Sequence, residues 1–369
     1  MTSLFMSIKS NMSNQGISDV TSVLIRVDAT KEVALGHLKR CVSLSYKLRE
    51  KGVRVSFLVA KDDFTERLLR TAGFDFTVVK SETNSDADCV YALELAERLN
   101  VKIIIIDSYE IDATYRNKLI DSGFFVVSID DTADKDLPSH IIINGNLNAE
   151  MLNYTDNGRI SLYLGIRYLL LGPNFLDIIN AKTTDDFSNV LITMGGIDHY
   201  DLTSKILSIL DKSDADFGIT AIVGPYYENL ASIRSQIANM TKKVCLVNSP
   251  STLYPYMVKC SMAFSAGGQT LYELAALGCP TIGITLWENQ SGNVSALSKM
   301  GAIEGIIYSK DRNFDYVLRK SSLKLIYDKT ERQRLSQIAS AIVDGKGTER
   351  VSNAIIESYG KWNVEKENK

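Results

Sequence analysis

The sequence predicts an α/β protein made of two Rossmann-like, doubly wound domains that face each other across a cleft. Three observations carry this. Short β-branched runs alternate with segments of helical period along the chain. The runs are continuous, as in Ile103-Ile104-Ile105-Ile106, which suits strands buried on both faces of a parallel sheet. The whole pattern also pauses near residues 173–187 and then begins again. A chain of 369 residues, 45% hydrophobic, is long enough for two cores of medium size.

Taken in order, residues 1–21 are rich in Ser, Asn and Met. They lack the apolar stretch of a signal peptide and read as a flexible leader. Strands are expected at Val23–Val27, Val53–Val59, Phe76–Val79, Ile103–Asp107, Phe125–Ile129 and Ile141–Ile143. Helical stretches Leu38–Glu50, Asp62–Ala72, Asp86–Leu99 and Ala113–Asp121 separate them, giving a βαβ series over 22–172. Gly172-Pro173 and Thr183-Thr184-Asp185-Asp186 mark a linker over 173–187. The second domain, 188–345, has expected strands at Val190–Thr193, Ile219–Val223, Val244–Val247, Met262–Phe264 and Thr281–Ile284. Its expected helices are Leu202–Leu210, Tyr227–Asn239, Thr252–Cys260, Thr270–Leu277, Val294–Met300, Phe314–Asp328 and Arg332–Asp344. A last helical segment in 346–369, centred on Thr348–Tyr359, is expected to cross back onto the first domain.

Composition excludes several classes. The net charge of −3 gives no basic footprint for nucleic acid. No apolar run approaches the roughly 20 residues of a membrane span. The cysteines, Cys41, Cys89, Cys245, Cys260 and Cys279, are scattered and contain no C-x-x-C pair, so neither zinc nor a disulfide framework is expected and a reducing cytoplasm is. No clustered histidines or other metal-ligand spacing call for a divalent ion. The phosphate-binding pattern G-x-x-x-x-G-K-[ST] is absent, and no cofactor is implied. Oligomeric state is left open.

In doubly wound sheets ligands gather beyond the carboxyl ends of the strands, so the loops after predicted strands are the candidates. The first leads from Asp28 to Gly36-His37 at the start of a helix. Free helical N–H groups there disfavour a protonated imidazole, and a neutral imidazole is what a general base needs. The plainer alternative is a histidine that packs against or caps the helix start. The second loop, Ser265-Ala266-Gly267-Gly268-Gln269-Thr270, precedes a helix holding Glu273. Paired glycines and a helix end suit a pyrophosphate, and a carboxylate in the helix can accept both hydroxyls of a ribose. A tight turn with a dipole-favoured carboxylate is the alternative. The third loop, Thr193-Met194-Gly195-Gly196-Ile197-Asp198-His199, is placed for phosphate or sugar, with Asp198 or Asp201 otherwise serving as a helix cap. His199 reads as an exposed loop residue and His140 as structural. The fourth, Trp287-Glu288-Asn289-Gln290, offers amides for sugar hydroxyls or for solvent. The fifth, Asp107-Ser108-Tyr109, faces the cleft, unless Asp107 merely caps its turn.

Together these segments resemble one family. They are G-H-L-K-R-C at 36–41, D-S-Y at 107–109, I-D-D at 129–131, G-G-I-D at 195–198, S-A-G-G-Q-T-L-Y-E-L at 265–274 and E-N-Q at 288–290. The set is similar to the UDP-sugar hydrolase of pseudaminic acid biosynthesis, which removes UDP from UDP-2,4-diacetamido-2,4,6-trideoxy-β-L-altropyranose. More distantly it resembles the peptidoglycan N-acetylglucosaminyltransferase, which shares the GT-B fold. The resemblance implies that His37 is catalytic, that Tyr109 and Asn289 belong to the active site, and that Gly267, Gly268, Gln269 and Thr270 hold pyrophosphate. It further implies that Glu273 binds ribose, that Gln290 touches the sugar, and that backbone near Asn248–Ser251 holds uracil. The sequence departs from the family at Ala34, His199 and Leu171-Gly172-Pro173.

The expected activity is therefore hydrolysis of a UDP-sugar at its anomeric carbon, with His37 as base and Asp107, Tyr109 and Asn289 around it. A GT-B glycosyltransferase in which His37 activates an acceptor hydroxyl is the alternative. A hydrolysing 2-epimerase and a catalytically silent sugar-nucleotide binder are the further ones.

Overall fold

The computed structural model describes residues 21–28, 36–155, 158–175, 187–308 and 312–368. The leader, apart from Thr21, and most of the linker lie outside the described residues, as does Ala34.

The first sheet contains β1 (Ser22–Val27), β2 (Arg54–Ala60), β3 (Asp75–Val79), β4 (Ile103–Asp107), β5 (Phe125–Ile129), β6 (Ile141–Asn144) and β7 (Ser161–Leu164). They pair in the order β3-β2-β1-β4-β5-β6-β7, every pair parallel. Parallel neighbours need crossovers. Helices α1 (Gly36–Glu50), α2 (Asp63–Ala72), α3 (Asp86–Arg98) and α4 (Ala113–Asp121) supply them after β1 to β4. Two cores result, because both faces of the sheet are covered. One joins Val23, Ile25, Ile103 and Ile105 to Leu38, Leu44 and Leu48 of α1. The other joins Leu24, Ile104 and Ile106 to Ala92 and Leu95 of α3 and Leu119 of α4. The alternation along Ile103–Ile106 explains why that run has no polar face.

The second sheet contains β8 (Asn189–Thr193), β9 (Gly218–Val223), β10 (Val244–Asn248), β11 (Met262–Ala266), β12 (Thr281–Thr285) and β13 (Glu304–Ile307). Its order, β10-β9-β8-β11-β12-β13, repeats the central pattern of the first, again all parallel. Around it lie α5 (Leu202–Asp211), α6 (Leu230–Ala238), α7 (Tyr254–Met257), α8 (Gln269–Ala276), α9 (Glu288–Lys299), α10 (Arg312–Tyr327) and α11 (Lys329–Ile342). The strand order reverses between β1 and β4 and between β8 and β11, so each sheet opens a crevice at its carboxyl edge.

Four sequence expectations change. Residues 288–290, read as a loop, form the first turn of α9. The helix expected over Thr252–Cys260 is reduced to the four residues of α7, and that over Tyr227–Asn239 starts only at Leu230. The edge strands β7 and β13 are additional.

The final helix, α12 (Gly347–Glu367), packs on α1 and sends Val351 and Ile355 into the first domain's core. Its start is pinned tightly: a Cβ on Gly347 would lie 2.1 Å from the Leu169 carbonyl oxygen, and the Thr348 hydroxyl donates to the Leu171 carbonyl at 3.0 Å.

Candidate active site

The carboxyl ends of β1, β4, β5 and β6 meet around His37. On α1 the sheet-facing stripe runs through His37, Cys41, Leu44 and Leu48, all buried, as the 3.6-residue period dictates. This aims the imidazole at the end of β4. Nδ1 of His37 lies 3.2 Å from Asp107 Oδ1, and Nε2 lies 3.7 Å from Asp131 Oδ2. The shorter approach lacks hydrogen-bond alignment, which leaves Nδ1 without a hydrogen-bond partner among the described residues. The Tyr109 ring meets the imidazole edge-on, with centroids 4.5 Å apart.

Arg40, one residue off the same stripe, organises the acids. Its Nε and Nη2 donate to Asp107 at 2.7 and 2.6 Å, and its Nη1 donates to both oxygens of Asp131 at 2.8 and 2.9 Å. Asp107 is thus half of a bidentate ion pair and not a turn cap. Asp131 also accepts the Tyr109 hydroxyl at 2.8 Å and Asn146 Nδ2 at 2.9 Å. Burial alone would raise the Asp131 carboxyl, but the charge and hydrogen bonds of Arg40 hold it well below the usual carboxylate range. Burial, with the Asp131 charge behind it, pushes the Tyr109 phenol far above its ordinary range, so this hydroxyl is a donor and not a base.

The second domain faces this cluster with the turn after β11. Gly267 and Gly268 differ in what they permit. A Cβ on Gly267 would meet Val294 Cγ2 of α9 at 2.5 Å, whereas one on Gly268 would meet nothing within 4 Å. Gly267 lets α9 pack closely; Gly268 leaves open space beside the start of α8. Glu273, one turn into α8, is buried, and burial pushes its carboxyl up while the charge of Lys39 opposes the shift. Gly195 takes φ +84°, in the left-handed region, and Gly196 follows it in the turn after β8. Asp198 does cap α5, accepting from Leu202 N, Thr203 N and Thr203 Oγ1 at 2.9, 2.9 and 2.6 Å.

Three adjoining cavities fill the cleft. One of about 160 Å³ is lined by Gly36, His37, Tyr109, Asp131, Gly267 and Gln290, among others. It continues, past Gly268 and Gln269, into one of about 540 Å³ bounded by Gly195, Gly196, Thr270 and Glu273. The third, about 830 Å³, runs along Asn248, Ser249 and Ser251 and shares Lys39 and Glu273 with the second. Among the sequence candidates, Gly36, His37, Tyr109, Gly195, Gly196, Gly267, Gly268, Gln269, Thr270, Glu273 and Gln290 all line this cleft. Asp107 lies beneath it as the partner of Arg40 and His37. Asn289 lies in α9, and its side chain is outside the described part of the structure. Gln290 Oε1 accepts the Leu286 N–H at 3.0 Å, closing the turn before α9. His199 is exposed beside Trp287, and His140 Nδ1 accepts the Val126 N–H at 3.0 Å.

Sequence alone assigns no role to Arg40, Asp131, Asn146, Tyr272 or Asn293. These form a hydrogen-bonded chain across the cleft, in which Tyr272 donates to Asn293 Oδ1, Asn293 to Asn146 Oδ1, and Asn146 to Asp131. Arg40, Asp131 and Tyr272 lie inside the motifs that carry the resemblance. Asn146 follows a predicted strand, which was the available signal.

Two parallel-sheet domains with facing carboxyl edges and a returning terminal helix define the GT-B fold. Solved structures agree. MurG of Acinetobacter baumannii superposes with TM-score 0.68 at 14% identity, covering 91% of this chain and 99% of that one. The S. aureus MnaA–UDP structure gives 0.61 at 10%, covering 91% and 96%. The spinosyn rhamnosyltransferase SpnG with thymidine diphosphate gives 0.62 at 15%, covering 90% and 99%. At these identities the likeness is one of fold.

No protein-family model matches the chain. Among curated proteins it is 25% identical over 307 residues to the Helicobacter pylori pseudaminic acid cytidylyltransferase and UDP-2,4-diacetamido-2,4,6-trideoxy-β-L-altropyranose hydrolase, covering 82% of this chain and 49% of that protein. It is 22% identical over 351 residues to the spore coat polysaccharide biosynthesis protein SpsG of Bacillus subtilis, covering 91% and 98%. An uncharacterized protein of Methanocaldococcus jannaschii is 24% identical over 279 residues, covering 73% and 56%. The chain thus spans about half the length of two of these relatives and nearly all of SpsG.

Proposed function

We propose that the protein is a UDP-sugar hydrolase that releases UDP from a UDP-2,4-diacetamido-2,4,6-trideoxyhexose by attack of water at the anomeric carbon. The observation that carries this reading is the imidazole of His37 lying between Asp107 and Asp131, across a cavity from Gly268 and Gln269. A distant relative bearing a UDP-sugar hydrolase name supports the substrate class.

In this reading a ring nitrogen of His37 takes a proton from water as the oxygen–C1 bond forms. The bond from C1 to the β-phosphate oxygen breaks, and UDP leaves with the electron pair. Asp107, Asp131 and Arg40 sum to one negative charge beside the ring, the sign that stabilises the imidazolium formed. Donors preorganised at developing negative charge do the complementary work on the phosphate side. Free N–H groups at the start of α8 are those donors, and Glu273 takes the ribose hydroxyls.

The test is incubation with candidate UDP-sugars in water, with products followed by NMR. Free UDP and reducing sugar in equal amounts are expected without any acceptor. Release of UDP only when a sugar or lipid acceptor is added would replace hydrolysis by glycosyl transfer, with His37 as acceptor base.

A further inference from the structure

The charges around the central cavity do not suit an anionic ligand unless one residue supplies the balance. Among the described residues that line the 540 Å³ cavity, Asp198, Glu273 and Glu288 are acidic and Lys39 is the one cation. A nucleoside diphosphate adds two or three further negative charges. Asp198 is occupied by the hydrogen bonds that cap α5. Arg40, the next cation on α1, is fully engaged by Asp107 and Asp131.

Lys39 is placed differently. It projects from α1 of the first domain, opposite Glu273 on α8 of the second, and both side chains border the second and third cavities where these join. No ion pair within 4 Å engages its ammonium among the described residues. The two groups nevertheless feel each other. Burial pushes the lysine down and the glutamate up, and each charge pulls the other part of the way back. A half-buried ammonium without a direct partner, facing a buried carboxylate across a gap, is costly to keep unless a ligand completes it.

We propose that Lys39 is the counter-charge for the ligand's diphosphate, supplied from the domain opposite the one that cradles the phosphates. This rests on the reading of the cleft as a nucleotide-sugar site. Binding then exchanges partners. Glu273 turns from the lysine charge to the ribose hydroxyls, and Lys39 donates to phosphate oxygens lying at the start of α8. Because Lys39 belongs to one domain and α8 to the other, the diphosphate ties the two walls together.

The test compares UDP with uridine by titration calorimetry on the intact protein and on Lys39→Ala, Lys39→Gln and Lys39→Arg. Lys39 is half-buried and belongs to no apolar core, so these variants are expected to fold. Loss of one charge-assisted contact predicts UDP affinity lower by about 10–100-fold in the Ala and Gln variants. Uridine affinity should stay within about threefold, and Lys39→Arg should restore most of the UDP affinity because a cation is retained. UDP binding by Lys39→Ala within about threefold of wild type overturns the proposal and leaves the assigned function standing. So does an equal loss for uridine, which would mark a structural role. A wild type that prefers another nucleoside diphosphate removes the uracil assignment alone, and the comparison is then made with that nucleotide and its nucleoside. A wild type that binds no nucleoside diphosphate overturns both.

Discussion

The hydroxyl of Tyr272, on α8 of the second domain, accepts the backbone N–H of Leu147 of the first at 3.0 Å. It also donates to Asn293, so one buried oxygen couples the helix bearing Glu273 to the segment after β6. Tyr272→Phe leaves a part-buried donor and a buried acceptor unpaired, which costs about 1–3 kcal/mol. Urea unfolding measures the loss, and faster amide exchange at Leu147 locates it. Coincident unfolding curves and unchanged exchange would show the contact to be idle.

His37→Asn keeps a polar group but removes the ring that takes the proton. Turnover should fall by about 10²–10⁴-fold, the range for a general base. UDP affinity should stay near wild type, because the Gly268–Thr270 turn and Glu273 belong to the other domain. Near-normal UDP release by the variant would take His37 out of the reaction.

Glu273→Ala should weaken UDP by about 1.5–3 kcal/mol through loss of charge-assisted hydrogen bonds to the ribose. The carboxyl is pushed up by burial, so in the empty protein it ionises only as pH climbs past the ordinary glutamate range. Wild-type affinity for uridine, which carries no phosphate to titrate, should therefore rise as pH climbs above the ordinary glutamate range and then level. Glu273→Gln should bind weakly with no such rise. Parallel pH curves for the two proteins would refute the role.

Asp131 has the opposite sign. Arg40 holds its folded value below that of the unfolded chain. Its contribution to stability is thus present above the unfolded carboxylate pKa of about 3.9, and is lost as pH falls through the folded value. Asp131→Asn should cost about 1.5–3 kcal/mol near neutrality, the range for hydrogen bonds to a charged group, since the pair is only part-buried and Arg40 keeps Asp107. Thermal unfolding across acidic pH should be shallower for the variant than for wild type.

The central strands were legible because burial on both faces leaves an unbroken apolar run, as at Ile103–Ile106. β7 and β13 were not, since each is a four-residue edge strand with residues left partly exposed, and Ile307 is 71% exposed. The first turn of α9 was hidden by Asn289, Ser291, Gly292 and Asn293, which have weak helix propensity. It is helical because it packs against the Gly267 turn and the first domain, where a Cβ on Gly292 would meet Asn148 Nδ2 at 2.5 Å. In the site, the loops could be found from their position after strands. The ion pairs of Arg40 could not, because its partners lie 67 and 91 residues away and no local spacing encodes them.

The return of α12 has a consequence for how the chain matures on the ribosome. Domains usually fold in the order they are made, the N-terminal one first. Here Val351 and Ile355 sit in the same core as β1 and α1, so the first sheet cannot finish packing until α12 has been synthesised. The second domain, encoded between the two parts, can close earlier. The nascent chain thus holds an unfinished first half, with the α1 surface that receives α12 uncovered, throughout synthesis of the second, and this is the interval in which a chaperone has most apolar surface to bind.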